Sequence, residues 1–103
     1  MKKIKTIVIP AAGYGTRFLP ITKSIPKEML PLGEKPIILH VVEEAVNSGI
    51  ENVIFVVSPY KKAIRDFFGE DEKLEKSLMK YAGKDEIEKL KKISKMAKFE
   101  YVV

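Results

Sequence analysis

Ile7-Val8-Ile9-Pro10-Ala11-Ala12-Gly13-Tyr14-Gly15-Thr16-Arg17, continuing through Phe18-Leu19-Pro20 to Lys23-Ser24-Ile25-Pro26-Lys27-Glu28-Met29-Leu30-Pro31-Leu32, is the stretch that decides how the chain is read. Its uncharged apolar opening has the composition of a strand buried on both faces, and it empties into a segment of Gly, Ala and Thr. Small residues leave backbone N–H groups bare, and glycine tolerates positive φ and the close approach of a ligand to the main chain. A Gly-x-Gly at the end of a buried strand is therefore a candidate phosphate cradle, and Arg17 and Lys27 add two cations to the same loop.

Outward from that stretch, strands and helices alternate. The first strand covers about 5–10. From Ala11 to about Lys35 the chain is too rich in Pro and Gly for one regular element, and a loop of that length in a compact domain is uncommon unless it is functional. Pro36 suits the first position of a helix whose apolar stripe is Ile37, Ile38, Val41, Val42, Ala45 and Val46, with Gly49 as its end. Asn52 to Val57 reads as a second buried strand. Ser58-Pro59 starts a helix carrying Ile64, Phe67 and Phe68 and stopping at Gly69. Two more helices are predicted, Asp71 to Tyr81 with Leu74 and Leu78 inward, and Asp85 to Lys98 with Ile87, Leu90, Ile93 and Ala97 inward. Each begins with an Asp suited to an N-cap, and Phe99 to Val103 has the look of a third strand.

This order predicts an α/β fold with a three-stranded parallel sheet, right-handed crossovers and flanking helices, in which ligands sit beyond the carboxyl ends of the strands. The glycine loop lies at that end. Residues 1–103 are expected to form a single, partial domain, an amino-terminal piece of a larger protein in whose sheet the first strand is central. Half a doubly wound sheet would otherwise leave a long apolar edge unpaired.

Composition narrows the chemistry. The chain has 103 residues, no cysteine, a single histidine and a net charge of +5. Disulfides, thiolate metal sites and a thiol nucleophile are excluded, and no histidine cluster can form. The positive charge comes mostly from lysines interleaved with glutamates between Glu70 and Lys98, the pattern of a solvated helix face. Basic residues are not clustered with stacking aromatics, so nucleic acid is not an expected partner. The basic start Met1 to Lys5 is backed by an apolar run reaching only Ile9, too short for a signal peptide or a membrane span. A cytoplasmic location without membrane contact is expected. Heavy Lys and Glu usage with neither Cys nor Gln leans toward a thermophilic composition.

The run Pro10 to Arg17, with Pro20, Thr22 and Pro26-Lys27 after it, resembles the signature of the sugar-phosphate nucleotidyltransferases. Within that family Pro26-Lys27-Glu28-Met29-Leu30-Pro31 resembles the mark of the bacterial UTP-glucose-1-phosphate uridylyltransferase branch, and the likeness extends through Lys35-Pro36, the helix to Gly49 and the region from Phe67 to Leu78. Ala12 stands where many relatives have a second consecutive Gly, a departure that this branch shares.

The resemblance implies a Rossmann-like fold and Mg²⁺-dependent attack of glucose 1-phosphate on the α-phosphorus of UTP. It places the backbone of Pro10, Ala11, Ala12 and Gly13 near the base and ribose. Gly15, Thr16 and Arg17 would hold the triphosphate, Lys27 would act as electrostatic catalyst beside Arg17, and Glu28 would face the nucleotide. It implies too that the uracil-reading residues, the Asp that holds Mg²⁺ and the sugar-binding residues lie beyond this chain, which alone would be inactive, and that the full-length protein is a homo-oligomer. No metal ligand is assigned within the chain.

Residue chemistry alone leaves blander readings open. Lys27 is by composition an exposed lysine, Arg17 a surface cation able to pair with Glu34, and Gly13 and Gly15 the parts of a tight turn. Thr16 suits the cap of a short turn at Arg17-Phe18-Leu19. His40 reads as a partly buried packing residue, Met29 and Leu30 as loop anchors, and Met79 and Met96 as core. A non-catalytic nucleotide-binding or assembly module, or a thymidylyltransferase, also fits the loop.

Overall fold

The computed structural model describes residues 3–59 and 62–103. Its main sheet has three parallel strands, β1 (Thr6–Ala11), β4 (Asn52–Val57) and β5 (Lys98–Val102), in the order β1-β4-β5. The register runs from Thr6 opposite Asn52 to Ala11 opposite Val57, and from Asn52 opposite Lys98 to Val56 opposite Val102. Between the first two strands lie a two-residue hairpin, β2 (Pro31–Leu32) with β3 (Lys35–Pro36), and helix α1 (Ile37–Asn47). Helices α2 (Lys62–Phe68), α3 (Glu72–Leu78) and α4 (Lys84–Lys95) connect β4 to β5. The parallel α/β expectation is met.

One face of the sheet carries the core. Ile7, Ile9 and Ala11, then Val53, Phe55 and Val57, then Phe99 and Tyr101 share that face and meet Ile38, Leu39, Val42, Ile64 and Phe68 from the helices. Phe55 sits at its centre, stacked on Phe68, Phe99 and Tyr101 at ring separations of 5.0, 5.9 and 5.5 Å. Strands that step across a sheet in one direction through right-handed crossovers place their connecting helices on the same side. The expectation that β1 is buried on both faces is therefore corrected: Thr6, Val8 and Pro10 point away from the helices, and Val8 is 56% exposed. Within the described residues β4 is central and β1 an edge strand.

The helices follow their sequence signals with corrections at Pro36, in the stripe of α1, at Leu74, at Asp85, at Met79 and at Leu90, which is exposed where the sequence reading turns it inward. Pro36 is the extended N-cap of α1 and not its first turn, and Gly49, at φ 100°, ends the helix with its N–H on the Val46 carbonyl at 3.0 Å. The buried stripe of α1 is Ile38, Leu39, Val42 and Ala45; Ile37 and Val41 are exposed. In α3, Asp71 does cap, accepting the Leu74 N–H at 3.0 Å, yet Leu74 faces outward and Glu75 is the buried residue. Asp85 lies inside the first turn of α4 behind Gly83, where its charge favours the helix end without capping it. Met79 is exposed and not core, whereas Met96 packs on the core. The predicted start of α2 runs through 60 and 61, outside the described residues.

Tyr101 lies under the Arg65 guanidinium, 5.0 Å from its ring centroid, and desolvation raises its phenol above the ordinary value of 10.0, with Arg65 opposing and Asp66 adding to the shift. A raised folded-state value means that Tyr101 contributes fully to stability below pH 10 and that the contribution is lost as pH climbs through its folded titration. Denaturation followed at rising alkaline pH should show that loss. Replacing Tyr101 with Phe should lessen it.

Candidate functional site

Parallel pairing brings Ala11, Val57 and Val102 to one edge of the sheet, and the glycine loop leaves from that edge. Ala11 is 1% exposed with its methyl in the core, so only its main chain can face a ligand. Pro10, Ala12 and Gly13 are exposed. The long loop then folds as three single turns of 3-10 helix, Thr16–Phe18, Ile21–Lys23 and Lys27–Met29. Its return is anchored by Met29 on the core and by the Ile37 N–H on the Leu30 carbonyl at 3.0 Å.

The two glycines do different work. Gly15 is left-handed, at φ 61° and ψ 42°, and serves as the N-cap of the first 3-10 turn. A Cβ there would stand 3.1 Å from the Thr22 methyl and 3.2 Å from Lys27 Cβ. Gly13 has ordinary φ and would meet only Lys27 Nζ, at 3.8 Å. The stem of Lys27 thus lies against Gly15 while its ammonium reaches back to Gly13, and the second and third 3-10 turns close around the Gly-x-Gly. Gly15→Ala should cost about 1 to 2 kcal/mol from the left-handed backbone alone. Gly13→Ala should stay within about 0.5 kcal/mol. Urea unfolding of the two variants checks the difference, and equal losses would mean that Gly15 is not held as described.

Arg17 is exposed in the first 3-10 turn and joins neither ion pair formed by described residues, Lys5–Glu51 at 3.9 Å and Lys35–Glu43 at 3.0 Å. The pairing with Glu34 that the sequence allowed is therefore absent among the described residues. Thr16 opens the turn and does not cap it. Glu28 is half-buried in the third 3-10 turn beside Lys27. Of the sequence-predicted residues, Gly13, Gly15 and Lys27 come together; Thr16, one turn on, opens instead onto a cleft of about 730 Å³ shared with Tyr14, Thr22, Lys23, Ser24 and Ser58. Ser58 follows the carboxyl end of β4, so the strand-end rule could have found it. Thr22, Lys23 and Ser24 reach the cleft only through the fold of the loop.

His40 is half-buried with Nε2 2.8 Å from the Leu32 carbonyl, tying α1 to the hairpin and placed for packing. Among the described residues no group of three or more His, Asp or Glu side chains is placed to hold a metal ion. No helix of the described residues is long and apolar enough to cross a membrane.

The chain has a parallel α/β sheet with a glycine loop carrying Arg17 and Lys27 at its carboxyl edge, and a family profile described as nucleotidyl transferase matches residues 6–101. The chain belongs to that family. It is 48% identical over 99% of its length to the UTP–glucose-1-phosphate uridylyltransferase of Bacillus subtilis (strain 168), and 49% identical to UTP–glucose-1-phosphate uridylyltransferase 2 of Staphylococcus saprophyticus. It spans 35% of the length of each of these relatives.

Solved structures agree. An apo UDP-glucose pyrophosphorylase superposes with a TM-score of 0.83 at 41% identity, over 97% of this chain and 37% of the other. A UTP-bound UGPase from Acinetobacter baumannii gives 0.81 at 39%, over 97% and 35%. A UDP-glucose pyrophosphorylase complexed with UDP-glucose gives 0.74 at 42%, over the same shares.

Proposed function

We propose that the chain forms the nucleotide-binding part of a UTP–glucose-1-phosphate uridylyltransferase, with UTP seated on the glycine loop. The observation that carries the reading is the clasp of Lys27 on the Gly-x-Gly, its stem against Gly15 and its ammonium near Gly13. In the reaction a phosphate oxygen of glucose 1-phosphate attacks the α-phosphorus of UTP. A new P–O bond forms, the bond between α-phosphorus and bridging oxygen breaks, and pyrophosphate leaves with the electron pair. Such a transfer needs alignment and neutralisation of charge on phosphate oxygens more than a protein nucleophile.

The main chain of Pro10 to Gly13 would line the base and ribose. Gly15, Thr16 and Arg17 would hold the triphosphate, and Glu28 would face the nucleotide. Lys27 would meet the charge that grows as the bond to the leaving phosphate breaks. Mg²⁺ belongs to the proposal as a source of further charge neutralisation, but the described residues assemble no carboxylate set that fits it. In this reading residues 1–103 are one partial domain, β1 lies inside a larger sheet, and the complete enzyme is a cytoplasmic homo-oligomer. The 103-residue chain alone would bind UTP at best weakly and make no measurable UDP-glucose.

The test is a hybrid in which these 103 residues replace the matching stretch of the Bacillus subtilis relative, assayed for UDP-glucose formation from UTP and glucose 1-phosphate. Activity comparable to the parent is the expected result. A folded hybrid without activity would contradict the reading, as would UDP-glucose formation by the 103 residues alone.

A further inference from the structure

Thr22 has no role in the nucleotide reading, yet it is the residue that fixes the shape of the glycine loop. It is half-buried in the second 3-10 turn, and its hydroxyl donates to the Gly15 carbonyl at 2.8 Å across seven residues. The same carbonyl accepts the Phe18 N–H at 3.0 Å, so both of its lone pairs are engaged. A trans peptide is planar, and fixing the Gly15 C=O also fixes the Thr16 N–H on the opposite side. The Thr22 methyl and the Lys27 stem both stand on the side of Gly15 where a Cβ would project, at 3.1 and 3.2 Å from that position. Thr22 also lines the cleft onto which Thr16 opens.

Two of these contacts come from different parts of one side chain. The hydroxyl sets the rotation of the Gly15–Thr16 peptide, and the methyl shares with the Lys27 stem the space that a Cβ on Gly15 would fill. Without the hydroxyl, the Phe18 N–H still closes the turn, so the loop stays folded while the peptide regains freedom to tilt. Valine keeps the shape and removes the donor. Serine keeps the donor and removes the methyl.

We propose that Thr22 is a positioning residue for the triphosphate of UTP, its hydroxyl holding the Gly15–Thr16 peptide in the orientation that faces phosphate beside Lys27. The proposal rests on the nucleotide reading above and adds to it a residue that does not itself touch the phosphate. A neutral hydrogen bond of this kind is worth roughly three- to tenfold in binding when its loss frees the peptide that makes the contact.

The experiment is titration of the ¹⁵N-labelled hybrid enzyme, as Thr22, Thr22→Val and Thr22→Ser, with UTP, following the amides of 13–17 and 27. Thr22→Val should weaken UTP by roughly three- to tenfold with ligand-free shifts confined to the loop, and Thr22→Ser should stay within about twofold of the unsubstituted hybrid. Equal affinity of folded Thr22→Val and the unsubstituted hybrid overturns the proposal. Equal weakening by Thr22→Ser and Thr22→Val also overturns it, because the methyl and not the hydroxyl would then matter. If the unsubstituted hybrid fails to bind UTP, the nucleotide reading falls and this inference falls with it, an outcome distinct from the other two.

Discussion

Phe55→Ala is expected to remove most of the stability of the folded chain. Phe55 is 0% exposed and stacks on Phe68, Phe99 and Tyr101 together, so it joins β4, α2 and β5. Truncating a fully buried phenylalanine typically costs about 3 to 5 kcal/mol, from lost transfer energy and from the cavity left behind. A domain of this size has roughly 5 to 15 kcal/mol to lose, and one whose sheet is covered on a single face belongs at the lower end. Urea denaturation followed by circular dichroism should show a large drop in midpoint or a chain unfolded without denaturant. A shift no larger than that of a surface substitution such as Lys73→Ala would mean that the aromatic cluster is not the centre of the fold.

The second large effect concerns Lys27 in the hybrid enzyme. An ammonium aimed at charge that develops during phosphoryl transfer stabilises the transition state more than the ground state, and removing one such donor costs about 3 to 4 kcal/mol, or roughly a hundredfold to a thousandfold in kcat. Lys27 is suited to that part because its stem is packed on Gly15 and its ammonium approaches Gly13. Lys27→Ala should therefore lower kcat sharply with a smaller change in the KM for UTP. Arg17 is exposed and outside the described ion pairs, and in the proposed reading it would grip the triphosphate equally in both states. Arg17→Ala should raise the KM for UTP with a smaller loss of kcat. A folded Lys27→Ala hybrid with near-normal kcat would return Lys27 to the status of a surface lysine.

Why some of this was legible in the sequence, and some not, follows from what each signal measures. The strands β1 and β4 are short apolar runs bounded by Pro, Gly or polar residues, and their ends were placed within a residue or two. Gly49 and Asp71 act through the backbone of their own helix ends, so local chemistry was enough. The stripe of α1 was misread because Ile37-Ile38-Leu39 is apolar throughout and supports two helical phases; the sheet beneath selects the phase that buries Leu39. In α3 a helix of seven residues offers too few apolar positions to fix its rotation, and Leu74 turned outward while Glu75 turned in.

The one-sided covering of the sheet was hidden for a related reason. An apolar run such as Ile7-Val8-Ile9 has no alternation to show which side faces the helices, and the parallel pairing alone suggests two covered faces. For the site, the residue types and their order pointed to Gly15 and Lys27, but not to the bond between Thr22 and Gly15. That contact depends on how three 3-10 turns fold over one another, which no periodicity encodes.

The claim that the glycine loop takes the triphosphate is tested most directly by comparing UTP with uridine in an amide-shift titration of the unsubstituted chain. UTP should perturb the amides of 13–17 and 27, and uridine, lacking phosphates, should leave 15–17 and 27 unmoved. The contradicting result is UTP perturbations centred elsewhere, for example on the cleft that α2, α3 and α4 form around Arg65, Glu75 and Leu90, or identical loop perturbations from both ligands.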